Sequence, residues 1–194
     1  ISAGGDHGLA LKSNGSLVSW GYNEYDVPAG DDFVSIASGE YHNLALRNDG
    51  TLAAWGRNHH NQSDVPTGND FVAIAAGSFH SLALKDDGTI LAWGNMVALE
   101  NSPTGNNFAA IAAGGGQHSL ALKYDGTITA WGRDDYDQCV VPSESDFVAI
   151  AGGYLHSIAL RSNGTVIGWG YNAQNQCDIP FNNDYMAITA GNYH

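Results

Sequence analysis

The chain has 194 residues, and its 7 Lys and Arg against 20 Asp and Glu give a formal net charge of -13. Charged residues make up only 14%, while glycine contributes 25 residues, which disfavours coiled coils and long amphipathic helices because these need many Glu, Lys and Leu. So acidic a chain repels a phosphate backbone, and no apolar run is long enough to cross a bilayer. Neither nucleic-acid binding nor membrane insertion is therefore expected.

The predicted elements are clearest near the middle of the chain. Residues 71–76 are apolar and are followed by a glycine, which predicts a strand. The apolar runs 82–84 and 89–93 flank Asp87-Gly88, and an Asp-Gly pair in this setting predicts a β-hairpin with a type I′ turn. The segment that ends at Pro103 predicts a fourth strand at the outer edge, where the missing N–H of proline costs nothing.

The same pattern returns along the whole chain. The tryptophans, each followed by glycine, are Trp20, Trp55, Trp93, Trp131 and Trp169. A histidine series with the same spacing comprises His7, His42, His80, His118, His156 and His194. The hairpin dipeptide recurs as Asn14-Gly15, Asp49-Gly50, Asp125-Gly126 and Asn163-Gly164. The chain is therefore a tandem repeat with a period of about 38 residues.

Four short antiparallel strands in a unit of this length are typical of a propeller blade. We therefore expect an all-β fold, a β-propeller of four-stranded antiparallel blades, with about five blades present. The repeat units are approximately residues 1–32, 33–70, 71–107, 108–146 and 147–184, and residues 185–194 start a further unit. The five tryptophans are expected to be largely buried between the blades.

The two ends of the chain carry the same piece of a repeat. Residues 1–7 read ISAGGDH and residues 188–194 read ITAGNYH. In a closed ring of five blades both copies would compete for one position, so five blades are too few. We therefore expect this chain to be part of a larger ring, with further blades of a longer chain as its neighbours or with the missing blades supplied from elsewhere.

The recurring string, which at residues 75–94 reads AAGSFHSLALKDDGTILAWG, resembles the repeats of the regulator of chromosome condensation family. The resemblance spans the chain and implies a propeller, which has seven blades in typical members, so we expect this chain to be part of a seven-bladed ring. The family includes an exchange factor for a GTPase, whose longer repeats carry an inserted loop that this sequence lacks. The compact unit and its Val-Pro or Ile-Pro ending are more similar to the secreted bacterial β-lactamase inhibitors of this fold.

The histidine series places one imidazole in each blade, around a ring rather than in a cluster. We therefore expect structural hydrogen bonds instead of a metal or catalytic site. His59 and His60 are adjacent, and adjacent residues of a strand point in opposite directions, which disfavours a shared metal site. No linear motif of a phosphate-binding loop, a serine hydrolase or a zinc protease occurs, so neither an enzyme nor a cofactor is expected.

Two smaller motifs have structural explanations. Asn14 and Asn163 stand in glycosylation sequons, but their place in hairpin turns accounts for them. Cys139 and Cys177 lie one repeat apart, at equivalent positions of neighbouring units. A disulfide needs Cα atoms within about 7 Å. We expect two free thiols, with a bridge or a metal site as the alternative.

The two ends of the blades differ in composition. In a four-stranded antiparallel blade, the connections before each repeat histidine and after each Trp-Gly emerge at one end, and these hold seven of the nine tyrosines. Tyr and Arg are enriched at interface anchors. The candidate partner-binding residues are Tyr22, Tyr25, Tyr41, Arg57, His59, His60, Phe79, Arg133, Asp135, Tyr136, Tyr154 and Tyr171. Ordinary surface packing of these side chains is the alternative.

These observations predict a non-enzymatic propeller that binds another protein through one aromatic-rich loop face. The acidic charge and the resemblance imply an extracellular or cell-surface protein of a bacterium, and enzyme inhibition is one form that such binding takes in the family. A structural or adhesive repeat module of a larger cell-surface protein is the alternative. Guanine-nucleotide exchange is disfavoured by the short repeats and the missing insertion.

Overall fold

The computed structural model describes residues 1–22, 26–192 and 194, and in these residues fifteen strands form five antiparallel sheets in chain order. The first sheet contains Ser2–Ala3 (β1), His7–Leu11 (β2) and Leu17–Gly21 (β3), and the second contains Phe33–Ser38 (β4), His42–Arg47 (β5) and Leu52–Gly56 (β6). The third contains Phe71–Ala76 (β7), His80–Lys85 (β8) and Ile90–Gly94 (β9), and is followed by a short helix, Met96–Leu99 (α1). The fourth contains Phe108–Ala113 (β10), His118–Lys123 (β11) and Ile128–Gly132 (β12), and the fifth Phe147–Gly152 (β13), His156–Arg161 (β14) and Val166–Gly170 (β15).

The sheets pack on one another in the order of the chain. Middle strands such as β8 are buried almost from end to end, because both faces of the sheet contact a neighbouring sheet. One core cluster joins Leu82 and Leu84 of the third sheet to Phe108, Ala121 and Trp131 of the fourth. Such face-to-face packing is that of propeller blades, so the predicted all-β class and the five repeated blades are confirmed.

The hairpin turns lie at the predicted positions, but they are not type I′. Gly88 has φ of +82°, whereas Asp87 does not have a positive φ. The amide of Gly88 donates to the Lys85 carbonyl, and the amide of Lys85 donates to the Thr89 carbonyl. This is a type I turn followed by a glycine bulge, the usual three-residue hairpin connection. The Asp87 carboxylate accepts from the amide and the hydroxyl of Thr89, which explains why Asp or Asn precedes each turn glycine.

The predicted fourth strand of each blade is absent from the described residues, whose sheets have three strands. The segments that lead to Pro66, Pro142 and Pro180 form successive tight turns instead. In the second blade the amide of Asn61 donates to the Asn58 carbonyl, and the amide of Asp64 donates to the Asn61 carbonyl. These local bonds, together with the missing N–H of Pro66, leave the segment without a ladder to β6.

Burial of the tryptophans differs between blades. Trp131 is only 2% exposed, and Trp55, Trp93 and Trp169 are half-buried. The prediction is wrong for Trp20, which is 49% exposed. We call the segment between the third strand of a blade and its proline the outer loop. The later indoles pack against the outer loop of the preceding blade, and no described outer loop precedes the first sheet.

A glycine packs against the ring of each repeat histidine, three residues before it in most blades and four residues before it at Gly114 and His118. In the third blade the amide of Gly77 donates to the His80 carbonyl at 2.9 Å. A Cβ at Gly77 would lie 2.2 Å from Cε1 of His80 and 2.8 Å from the carbonyl oxygen of Gly114. The same approach recurs at Gly39, Gly114 and Gly153. A glycine against the histidine ring is therefore a packing requirement, even where one extra residue separates the two.

Replacing Gly77 by alanine is expected to lower the free energy of unfolding by about 1–3 kcal/mol, because the added methyl group collides with a buried ring. Urea unfolding measures the loss. In the background of His80→Ala the same substitution should cost less, since the ring has gone and only the contact with the Gly114 carbonyl remains. An equal cost in both backgrounds would contradict the contact.

A sixth unit begins after the fifth sheet. The amide of Tyr185 donates to the Gly164 carbonyl, and the amide of Gly191 donates to the His194 carbonyl, both as in the earlier blades. Among the described residues no backbone hydrogen bond joins the first sheet to the fifth. The two copies of the terminal piece thus occupy different positions, and the number of blades in a complete ring stays a prediction.

Candidate functional site

The loops before the repeat histidines and the loops after the Trp-Gly pairs lie at the same end of the sheets. Backbone hydrogen bonds join them within each blade: Tyr22 to Asp6, Arg57 to Tyr41, Asn95 to Phe79, Arg133 to Gln117 and Tyr171 to Leu155. We call this end the aromatic face. The opposite end, with the hairpin turns at residues 12–16, 47–51, 85–89, 123–127 and 161–165, is the turn face.

The outer loops of the aromatic face are anchored by a buried glutamine. Gln62 is fully buried, and its Oε1 accepts from the amide of His60 at 2.9 Å. The residue before it, Asn61, has φ of +60°, which lets the chain fold back over the side chain. Gln138 and Gln176 hold the equivalent loops of the fourth and fifth blades. The loops that display the aromatic residues are therefore fixed to the scaffold.

A polar network crosses each junction between blades. His42 Nε2 lies 2.9 Å from the Ser81 hydroxyl of the next blade, and this hydroxyl donates to the Gln62 carbonyl. The indole N–H of Trp93 donates to the same carbonyl at 3.0 Å. The fourth and fifth blades repeat it with His118, Ser157, Gln138 and Trp169. The structural hydrogen-bonding role predicted for the histidines is confirmed.

Burial keeps these imidazoles neutral. Loss of solvation lowers the pKa of His42 and of His118 to about 4 and that of His80 to about 3, while the pKa of His156 is lowered in the same direction. Among the residues that the structure describes, no three His, Cys, Asp or Glu side chains are grouped so as to hold a metal ion.

The first group of predicted residues meets at the second and third blades. The Arg57 guanidinium lies 5.1 Å from the ring centre of Tyr41, within cation–π range. The His60 ring meets Phe79 of the next blade edge-on, with centres 5.3 Å apart. His59 is exposed in the same loop. A hydrogen bond and charge repulsion from the adjacent Glu40 raise the pKa of Tyr41. We call these five candidate residues the first aromatic cluster.

The second group meets at the fourth and fifth blades. Tyr136 packs edge-on against Tyr171 of the next blade, with ring centres 5.0 Å apart. Arg133 forms an ion pair with Asp135, whose hydrogen bond raises the pKa of the guanidinium, and Tyr154 acts in the same direction. These five residues are the second aromatic cluster.

The remaining predicted residues lie in the first blade. Tyr22 is 71% exposed at the start of the outer loop. Tyr25 lies outside the described residues. The structure thus places ten of the twelve candidates in two clusters, one on each side of the outer loop of the third blade.

Sequence reasoning missed the residues between the two clusters. The outer loop of the third blade lacks the buried glutamine and contains α1, on which Met96 is 80% exposed and Val97 is 43% exposed. Residues 95–103 depart from the pattern shared by the second, fourth and fifth outer loops. This departure from the shared pattern is the feature of the sequence that could have drawn attention to the loop.

The cysteines are free and equivalent, as predicted. The Cys139 thiol points at the Arg133 carbonyl and the Cys177 thiol at the Tyr171 carbonyl, which is the position where the Ser63 hydroxyl meets the Arg57 carbonyl. Burial raises the pKa of Cys139 to about 12 and also raises that of Cys177. Both thiols therefore serve loop packing rather than reactivity.

Charged residues of the turn face form ion pairs with one another. Ion pairs join Arg47 to Asp32, Lys85 to Asp70 and Arg161 to Asp146, each within one blade. The basic residue that ends β5, β8 or β14 thus binds the aspartate just before the first strand of its own sheet. One exposed ring, Tyr124 at 71% exposure, lies in the turn at residues 123–127.

The architecture and its loop ends define a β-propeller of short tandem repeats. The chain belongs to the regulator of chromosome condensation (RCC1) repeat family, whose repeat model matches residues 1–26, 33–62, 71–97, 108–138 and 147–176. A search of curated proteins found no match to the sequence.

Solved structures share the fold. The ectodomain of the receptor kinase CR4 from Physcomitrella patens has a TM-score of 0.79 and 24% identity, over 97% of this chain and 55% of that chain. Prp20p from Saccharomyces cerevisiae, described with its binding to Gsp1p and histones, has a TM-score of 0.79 and 22% identity, over 97% of this chain and 65% of that chain. The ectodomain of the Arabidopsis thaliana receptor kinase ACR4 has a TM-score of 0.75 and 23% identity, over 87% of this chain and 63% of that chain.

The present chain thus spans between 55% and 65% of the length of these structures. A helix needs about 20 apolar residues to cross a bilayer. The one helix of the described residues, α1, has four, and no candidate span is found in this part of the chain.

Proposed function

We propose that the chain is a non-enzymatic protein-binding propeller that recognises a protein partner through its aromatic face. The observation that carries the proposal is that the residues which anchor the loops are repeated, whereas the exposed residues at the surface of the loops vary. The histidine position repeats in every blade and the buried glutamine in the second, fourth and fifth, whereas one equivalent surface position holds three kinds of side chain, at Tyr22, Arg57, Asn95, Arg133 and Tyr171. A position needed only for the scaffold has no reason to vary in this way.

The chemistry of the two clusters supports recognition of a protein. Tyr and Arg provide large contact areas with polar groups, and they are enriched among the residues that dominate binding energy. The rings are fixed by edge contacts and by the glutamine-anchored loops, so little conformational entropy remains to be lost on binding. The proposal includes inhibition of an enzyme by a secreted or surface-exposed bacterial protein, which rests on the resemblance of the compact repeat.

Simultaneous replacement of Tyr41, Phe79 and Tyr136 by alanine is expected to abolish partner capture and to change the melting temperature by only a few degrees, because all three rings are partly exposed. The tagged chain and the variant are compared by affinity capture from a bacterial extract, with the captured proteins quantified by mass spectrometry.

Tyr124→Ala is the control, since this ring is also exposed to solvent but lies on the turn face. It should retain the partner. A triple variant that loses stability together with binding would assign the three rings to the scaffold and would remove the main support for the proposal.

A second candidate function is a structural or adhesive module, and the exposed indole of Trp20 favours it. This ring occupies the position at which the other tryptophans meet a preceding blade, so it offers a surface to a further blade or a neighbouring molecule. Sedimentation of the isolated chain distinguishes the candidates. Self-association that Trp20→Ser abolishes favours the module, whereas a monomer with a stoichiometric partner favours recognition.

A further inference from the structure

The outer loop of the third blade has a different construction from its neighbours. The Asn95 side chain accepts from the amide of Val97 and caps α1. Ala98 is fully buried, and its Cα lies 3.4 Å from the place that a Cβ would take if Gly132 had one. The amide of Gly132 donates to the Glu100 carbonyl. The helix is therefore fastened to β12 of the next blade.

This fastening leaves two apolar side chains in solvent. Met96 is 80% exposed and Val97 is 43% exposed, although the adjacent Ala98 is fully buried. The two side chains stand on the outer loop between the first and second aromatic clusters. A methionine is long and flexible, so it adapts to an apolar pocket while the backbone beneath it stays fixed.

The charge around this position is mostly negative. The loops of the aromatic face carry the acidic residues Asp6, Glu40, Asp64, Glu100, Asp134, Asp135, Asp137 and Asp178, and their described basic residues are Arg57 and Arg133. Arg133 pairs with Asp135 within its own loop. The turn face is also acidic, but its five basic residues offset part of this charge, and Asp32, Asp70 and Asp146 form ion pairs with three of them. Electrostatic complementarity therefore favours a basic surface opposite the aromatic face.

We propose that Met96, supported by Val97, is the apolar anchor of the aromatic face, and that it enters an apolar pocket bordered by Lys and Arg on a basic protein partner. The proposal rests on the function proposed above and specifies the chemistry of its partner. Two rigid aromatic clusters flank a flexible apolar side chain, and the excess of carboxylates around them selects for positive charge.

The test uses a phage-displayed library of short random peptides, selected on the immobilised chain. Enriched peptides should combine Lys or Arg with apolar residues. Met96→Gln should weaken their binding about tenfold or more, as expected for an interface anchor. Raising NaCl from about 50 to about 500 mM should also weaken binding, because salt screens charge attraction.

Met186→Gln is the matched control. Met186 is 92% exposed but belongs to the sixth unit, where it follows Tyr185 as exposed Val72 follows Phe71 in the third blade. Its replacement should change affinity by less than about twofold, a change small beside that expected of an anchor. Equal effects of the two methionine variants, or enriched peptides without positive charge, would overturn the anchor.

The triple variant Tyr41→Ala, Phe79→Ala and Tyr136→Ala distinguishes a failure of the Met96 anchor from a failure of the proposed function. Loss of peptide binding in the triple variant but not in Met96→Gln would leave the aromatic face as the binding surface and reject the anchor. Unchanged binding in both variants, or no enrichment of any peptide, would reject both proposals.

Discussion

Replacing Trp131 by alanine is expected to lower the free energy of unfolding by about 3–5 kcal/mol. The indole is 2% exposed and belongs to the core cluster that joins the third and fourth sheets. Its blade is also covered by α1, so little space is available for the structure to collapse into the cavity. Urea unfolding followed by circular dichroism measures the change.

Trp20→Ala is the matched control for this substitution. Trp20 has the equivalent position in its blade but is 49% exposed, so its replacement should cost less than about 2 kcal/mol. Similar losses at the two positions would contradict the packing of each indole against the preceding blade.

Acidification from pH 6.5 to pH 4 is expected to unfold the chain. Burial lowers the pKa of His42, His80 and His118, so between their folded and unfolded values the unfolded chain binds more protons than the folded chain. The contribution of these histidines to the free energy of unfolding is therefore fully present above about pH 6.5 and falls as the pH decreases through this window. Each histidine contributes a loss of about 3 kcal/mol by pH 4, and three such losses are comparable to the whole stability of a typical domain.

His80→Gln tests the origin of the effect. The variant lacks one titrating group, so its free energy of unfolding should fall less steeply between pH 6.5 and 4 than that of the parent chain. The turn carboxylates Asp49, Asp87 and Asp125 have lowered pKa values, and the stability they contribute is lost only below about pH 4. An identical slope in the parent and in His80→Gln would show that the buried histidines do not cause the acid transition.

The repeated parts of the fold could be predicted from the sequence, because each repeated residue type is explained by the structure of its own repeat. The Asp87-Gly88 pair marks a hairpin. The interval at which the residue types of His80 and of Trp93 recur along the chain gives the blade period. The type of turn could not be predicted, because an Asp-Gly pair suits both a type I′ turn and a type I turn with a glycine bulge.

Features that depend on the neighbouring blade were harder to predict. The burial of a tryptophan depends on the loop of the preceding unit, so Trp20 and Trp131 differ although their own repeats match. The fourth strand was predicted from the position of the prolines, but the buried Gln62 side chain and the local turns use the backbone groups that a ladder would need.

The candidate site was predicted in part. The aromatic residues were assigned to one end of the blades from topology alone, and the contacts between Tyr136 and Tyr171 and between His60 and Phe79 show that they meet across blades. Met96 was not among the predicted residues, because a single methionine in an irregular loop has no pattern to distinguish it. Its exposure depends on Ala98, which fastens α1 beneath it.

Hydrogen exchange of the chain with and without a bound partner or an enriched peptide tests most directly whether the aromatic face is the binding surface. Binding should slow the exchange of backbone amides in the outer loops at residues 57–63, 95–100 and 133–139, and should leave the hairpin turns at 85–89 and 123–127 unchanged. Protection confined to the hairpin turns would place the partner on the turn face and would contradict the proposed function.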